Sequence, residues 1–177
     1  MKAQKIAVTG ILAAIICLFA PLSFPIGAVP ISLATFAIYI AACTVKAKIS
    51  VPAVIIYILL GAAGLPVFSS FQGGFHIIAG VTGGYILGYI PCAIIIGLLI
   101  GKYENKKWIY PASMILGTAV CYSIGTVWYM LQTEVGFTAA LTVCVLPFII
   151  GDIIKISAAC ALGFTLRKRL SSLSKLK

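Results

Sequence analysis

The stretch that decides the fold is residues 77–100, which read IIAGVTGGYILGYIPCAIIIGLLI and include no charged side chain. At about 1.5 Å of rise per residue, a helix of about 20 residues crosses the hydrocarbon core of a bilayer, which is about 30 Å thick. This stretch is long enough to cross it. The sequence therefore predicts a transmembrane helix at this place in the chain.

Five further apolar stretches flank it, at residues 6–24, 29–45, 51–65, 110–131 and 138–166. Hydrophobic residues make up 62% of the 177-residue chain and charged residues only 9%, with a mean hydropathy of +1.18. This composition lies far outside the range of soluble domains of this size. We predict an all-α integral membrane protein with six transmembrane helices, forming a single domain over residues 1–177.

The positive charges indicate how these helices are oriented. Twelve of the 13 Lys and Arg residues lie before the first stretch, after the second, after the fourth or after the sixth: Lys2, Lys5, Lys46, Lys48, Lys102, Lys106, Lys107, Arg167, Lys168, Arg169, Lys175 and Lys177. The loops after the first, third and fifth stretches have no Lys or Arg. Because cytoplasmic loops carry the excess of positive charge, both termini are predicted to be cytoplasmic. The net charge of +10 then reflects topology next to anionic lipid headgroups, and no nucleic-acid partner is expected.

Two charges lie within the sixth stretch, in residues 147–155, PFIIGDIIK. Asp152 and Lys155 are three residues apart, so on a helix they share one face with Cβ atoms about 5–6 Å apart. A charge at the bilayer centre costs about 2.5–3.5 kcal/mol or more, so both need partners or a polar cavity. With Pro147 in the first turn of a helix, Asp152 would lie about 7–8 Å below the outer surface. The two residues predict a solute site, and the alternative is an ion pair that only fixes helix packing.

Glycines and aromatic residues around the fourth stretch leave two further questions open. Gly80, Gly84 and Gly88 recur every four residues, which permits either close helix packing or the approach of a ligand to the backbone. In the preceding outer loop, Phe68, Phe71 and Phe75 favour either an apolar lid over a pocket or anchors at the lipid interface.

The sequence has too few candidate catalytic or metal-ligating residues for an enzyme site. The chain has one histidine, His76, interpreted as a loop or interfacial residue, and six scattered cysteines without metal-ligand spacing. A nucleophile with a base, a metal cluster and a phosphate-binding glycine loop are all missing from the sequence pattern. We therefore expect no enzyme activity, no cofactor and no metal.

Several short segments together resemble the BioY family, the biotin-specific substrate-binding component of energy-coupling-factor (ECF) vitamin importers. The resemblance covers nearly the whole chain. It is carried by GAVPI at residues 27–31, GLPVF at 64–68, Gly73-Gly74, TGGY at 82–85 and, most specifically, PFIIGDIIK at 147–155.

The resemblance implies an ECF S-component-like bundle in a prokaryotic plasma membrane, with a biotin pocket near the outer face. Its implied partners are a membrane coupling subunit and two cytoplasmic ATPase subunits. Implied pocket residues are Asp152, Lys155, Tyr85, Gln72 and Gly74, and the implied docking pair for the coupling subunit, near the start of the first helix, is Ala3 and Ala7. Some relatives carry Asn in place of Gln72 and Arg in place of Ile86.

The main alternative is a solitary secondary transporter of a small carboxylate or vitamin, in which Asp152 takes up and releases a proton. An intramembrane enzyme acting on lipid is a second alternative. Such enzymes usually need several acids or metal ligands, and this chain has a single acid within its apolar stretches.

Overall fold

The computed structural model describes residues 2–24, 29–103 and 106–169, and most of these residues are helical. The helices are α1 (Lys2–Phe19), α2 (Ala34–Thr44), α3 (Ala47–Ala62), α4 (Phe75–Ala79), α5 (Gly83–Lys102), α6 (Ile109–Thr133), α7 (Phe137–Cys144) and α8 (Leu146–Arg169). A two-residue antiparallel pair, β1 (Ser23–Phe24) with β2 (Ile31–Ser32), follows α1, and one turn of 3-10 helix lies at Ser69–Phe71. The predicted helical fold is confirmed.

Three segments of the described chain are long and apolar enough to cross a membrane: α5, α6 and residues 137–167, which cover α7 and most of α8. The helices α1, α2 and α3 are apolar but shorter. The 11 residues of α2 rise about 16 Å, roughly half of the hydrocarbon core. The outer faces carry exposed apolar side chains such as Leu131 and Ile150, as a lipid-facing surface requires. Six membrane spans remain a prediction.

The fourth predicted helix, residues 77–100, is interrupted, because α4 ends at Ala79 and α5 begins at Gly83. Two side chains from α6 donate hydrogen bonds to the carbonyl groups that the break leaves without a partner at the end of α4. The Trp128 indole N–H donates to the Gly80 carbonyl, and the Gln132 amide donates to the Ala79 carbonyl, each at 2.9 Å. Carbonyl groups at a helix end have no partner within the helix, so these bonds stabilise the interruption.

The sixth predicted helix, residues 138–166, is also two helices, with α7 ending at Cys144 and α8 beginning at Leu146. Pro147 has no amide hydrogen, so it cannot donate to the carbonyl of Val143, four residues earlier, and the helix is interrupted there. Pro147 lies in the first turn of α8, the position that was expected for it. Arg167, predicted to follow the helix, instead lies buried within α8 and donates to the Cys43 carbonyl at 3.0 Å.

The first outer loop is longer than predicted, because α1 ends at Phe19 and α2 begins at Ala34 rather than at residues 24 and 29. Ser23 pairs with Ser32 and Phe24 with Ile31 in the two-residue sheet. Prolines at the edges of this segment disfavour helix and direct the chain into the hairpin. We call the described parts of this loop and the next outer segment, residues 20–24, 29–33 and 63–74, the roof.

Helices α5 and α6 make the most extensive helix–helix contact in the described part of the chain. A Cβ atom at Gly84 would meet Trp128, and one at Gly88 would meet Cys121, so these two glycines allow the helices to approach each other. Of the two predicted roles for the glycines, Gly84 and Gly88 therefore serve close helix packing. Gly80 lies outside α5, between α4 and α5, so the prediction of a three-glycine ridge on one helix was wrong.

Candidate functional site

Asp152 and Lys155 lie on the second and third turns of α8 and are both buried, with 6% and 8% of their surface exposed. Lys155 Nζ lies 3.5 Å from Asp152 Oδ1, which is an ion pair between residues i and i+3. This distance is at the long end for a charged hydrogen bond, which typically measures about 2.7–2.9 Å. The two charges therefore attract each other while keeping bonding capacity for other groups.

Each charge has a second partner on a different helix. The Tyr122 hydroxyl on α6 donates to Asp152 Oδ2. On the other side, Lys155 Nζ donates to Thr35 Oγ1 in the first turn of α2 at 3.2 Å. These bonds join α2, α6 and α8 around one polar centre. Neither Tyr122 nor Thr35 was predicted from the sequence.

A cavity of about 330 Å³ opens beside this centre and beneath the roof. This volume lies within the usual range for small-molecule sites, about 300–1,000 Å³. Its lining combines the two charges with hydroxyl groups and aromatic rings, and Lys155 is the only Lys or Arg among the described lining residues. Such a site favours a small molecule that is partly apolar and carries hydrogen-bonding groups.

Aromatic rings form one wall of the cavity. Tyr85 and Tyr122 contact each other edge to face with ring centroids 6.2 Å apart, and Tyr122 makes a similar contact with Phe148 at 6.2 Å. The Tyr85 hydroxyl donates to the Cys144 carbonyl at 3.2 Å, in the last turn of α7. The predicted site residue Tyr85 therefore lines the cavity with its ring, while its hydroxyl joins α5 to α7.

Several roof residues line the cavity on one side. Gln72, predicted as a site residue, lines the cavity, and its carbonyl accepts a hydrogen bond from the Phe68 amide at 2.9 Å. Phe68 is buried and packs edge to face on Tyr57, with ring centroids 5.6 Å apart. The Ser70 amide donates to Ser23 Oγ at 2.8 Å, which links the two loops of the roof.

The three loop phenylalanines therefore differ in their surroundings. Phe68 lines the cavity from inside the roof. Phe71 and Phe75 are 65% and 71% exposed, as anchors in a lipid interface would be.

Gly74 is not among the residues that line the cavity. Its φ of +107° is one that side chains rarely adopt, and its amide donates to the Gly61 carbonyl at 2.7 Å. This placement positions the roof against the end of α3, and a contact between Gly74 and a substrate stays a prediction. His76, interpreted as a loop or interfacial residue, lies at the exposed start of α4 and lines the cavity as well.

Ala3 and Ala7, the predicted docking pair, lie one turn apart on α1 and are both exposed. Neither lines the cavity. The structure thus brings together four of the five predicted substrate residues and leaves Ala3 and Ala7 on an outer face.

Metal-ligating groups are not clustered within the described part of the chain, where no three His, Cys, Asp or Glu residues come together. The six cysteines are all unpaired, and four of them are buried.

The chain is similar to known proteins in both sequence and fold. The family model described as the BioY family matches residues 1–172. A protein of Thermotoga maritima named "Biotin transporter BioY" is 37% identical, with 93% of this chain and 96% of that protein covered. "Biotin transporter BioY2" of Lactococcus lactis subsp. cremoris is 34% identical, with 98% and 96% covered.

A solved structure has the same fold. It is the crystal structure of the S-component for biotin from an ECF-type ABC transporter, which superposes with a TM-score of 0.88 at 26% sequence identity. The match covers 94% of this chain and 92% of that chain.

Proposed function

Since this chain belongs to the BioY family, we propose that it takes up biotin as the membrane-embedded substrate-binding component of an ECF transporter. The observation that carries this proposal is the cavity beneath the roof, with the buried Asp152–Lys155 pair on its wall. Intramembrane charges facing a cavity are functional-site candidates, because lipid alone cannot solvate them.

The pair provides the bonding groups that biotin requires. The Asp152 carboxylate can accept a hydrogen bond from a ureido N–H. Lys155 can donate to the ureido carbonyl or pair with the valerate carboxylate. Because the two charged atoms are only 3.5 Å apart, they serve one end of the biotin molecule. The aromatic wall formed by Tyr85, Tyr122 and Phe148 then packs against its apolar part.

Gln72 completes the polar lining from the roof. Gln72 is exposed and lines the cavity, and its side-chain amide can donate to or accept from the second end of the ligand.

The proposed membrane arrangement has six spans with both termini in the cytoplasm. In this arrangement the roof faces outward and Lys46, Lys102 and Arg167 lie at the opposite, cytoplasmic end. The start of α2 adjoins the roof and its end adjoins Lys46, which supports this arrangement together with the charge distribution. Biotin then enters from the outside.

ATP hydrolysis has to come from partner proteins, because the sequence has no ATP-binding motif. The proposed partners are a membrane coupling subunit and two cytoplasmic ATPase subunits. The exposed Ala3 and Ala7 face offers small side chains that permit close contact with another membrane helix. Family membership does not favour the solitary proton-coupled carrier as the alternative.

Uptake of labelled biotin into cells that lack other biotin transporters tests this function. We expect uptake when the chain is expressed with the coupling and ATPase subunits, and we expect it to stop when the ATPases are made catalytically inactive. Uptake that requires the proton gradient but no partner subunit would support the solitary carrier instead.

A further inference from the structure

The Asp152–Lys155 pair is held from both sides by neutral groups on other helices. We propose that Tyr122 and Thr35 are positioning residues, one for each charge, that fix the pair in the geometry that binds the substrate. This inference rests on the proposed function, and it assigns roles to two residues that do not belong to the predicted site.

The ion pair alone does not define this geometry. Both residues lie on α8, and the separation of 3.5 Å is longer than that of a strong charged hydrogen bond. Lysine has a flexible four-carbon stem whose ordering opposes binding. A binding site is most effective when the groups that contact the ligand are already held in place by their neighbours.

Tyr122 holds the carboxylate. Its hydroxyl donates to Asp152 Oδ2, whereas Lys155 contacts Oδ1, so the two oxygens have different partners. The ring itself is fixed between Tyr85 on α5 and Phe148 on α8. With the ring wedged between two helices, the hydroxyl sets the rotation of the carboxylate and leaves the lone pairs of Oδ1 for Lys155 and the ligand.

Thr35 holds the ammonium group. Its Oγ1 accepts from Lys155 Nζ at 3.2 Å, and α2 packs against α8. An ammonium group has three hydrogens. One is directed to Thr35 and one to Asp152, so the third remains for the ligand.

The first test is the affinity of purified protein for biotin after removal of each hydroxyl group. Tyr122→Phe keeps the ring contacts and removes only the donor, and we expect at least a tenfold increase in Kd. Thr35→Val is expected to raise Kd about threefold to tenfold, and Thr35→Ser, which keeps a hydroxyl, is expected to restore affinity to within about twofold. Tyr129→Phe is the matched control, because Tyr129 lies on α6 outside the cavity and should keep wild-type affinity.

The second test separates positioning from a general structural role by combining Tyr122→Phe with Asp152→Asn. If Tyr122 acts through the carboxylate, Tyr122→Phe raises Kd by less than about threefold in the Asp152→Asn background, because coupled residues are not additive. An equal increase in both backgrounds, or wild-type affinity in Tyr122→Phe and Thr35→Val, overturns the positioning role. A wild-type chain that does not bind biotin overturns the proposed function itself, which distinguishes the two failures.

Discussion

Asp152 and Lys155 are the residues on which the proposed binding site depends. Both are more than nine-tenths buried, and they neutralise each other across 3.5 Å. Removing either one leaves the other buried charge without its main partner, which is strongly destabilising in an apolar setting. Loss of binding is therefore expected from either substitution.

We predict that Asp152→Asn and Lys155→Ala each weaken biotin binding by about 1–3 kcal/mol or more, because a buried polar group loses its partner. Calorimetric titration of the purified variants measures this change. Glu134→Gln is the matched control, since Glu134 is an exposed carboxylate outside the cavity. Wild-type affinity in both pocket variants would show that the ion pair only fixes helix packing.

The two charges could be predicted from the sequence, whereas their partners could not. A carboxylate and an ammonium group within an apolar stretch have a high free energy in lipid, so their mere presence indicates a site. Tyr122 and Thr35 are ordinary residues for a membrane helix. Their contacts reach 30 and 120 positions along the chain, so only the tertiary fold identifies them.

At the scale of the helices, the packing of α5 on α6 depends on small residues. A Cβ atom at Gly84 would lie against Trp128 and 3.0 Å from the Ile124 carbonyl oxygen, a contact that requires the helices to move apart. Gly101 lies on the same helix, and a Cβ atom there would have no neighbour within 4 Å. The two glycines therefore form a matched pair.

We predict that Gly84→Ala lowers the stability of the detergent-solubilised protein by about 1–3 kcal/mol, because overpacking forces backbone shifts. Gly101→Ala should leave stability unchanged or raise it slightly, since alanine favours helix. Thermal unfolding followed by circular dichroism measures both. Equal melting temperatures for the two variants would contradict close packing at Gly84.

The interruption between α4 and α5 shows where prediction from local sequence stops. Residues 77–100 are mostly apolar, and their one proline, Pro91, lies within α5 rather than at the break, which has only glycines as a local signal. The break is stabilised by Trp128 and Gln132, which donate to carbonyl groups about 50 positions away in the chain. The break before α8, by contrast, follows from Pro147, whose missing amide hydrogen acts locally.

At the scale of the whole molecule, the cavity and the predicted docking pair are separate. The cavity lies beneath the roof, whereas Ala3 and Ala7 lie at the start of α1, which ends at the roof. Substrate capture and partner docking should therefore respond to different substitutions.

We predict that Ala3→Leu combined with Ala7→Leu reduces co-purification with the membrane coupling subunit and lowers biotin uptake, because larger side chains prevent close helix contact. Biotin affinity of the isolated chain should stay unchanged. Ala158→Leu, which enlarges an exposed alanine on α8, is the control and should assemble normally. Normal assembly of the double variant would place the docking surface elsewhere.

The distribution of lysine and arginine predicts the orientation of the bundle without reference to any family. The identity of the solute could not be predicted from physical chemistry, because an acid, a base and aromatic rings suit several vitamins. Membership in the BioY family is what points to biotin.

Titration of the purified wild-type chain with biotin, with thiamine and riboflavin as controls, tests the central claim most directly. We expect saturable binding of one biotin per chain and no binding of thiamine or riboflavin at the same concentrations. Absence of biotin binding, or equal binding of all three vitamins, would contradict the proposal that this cavity is a biotin site.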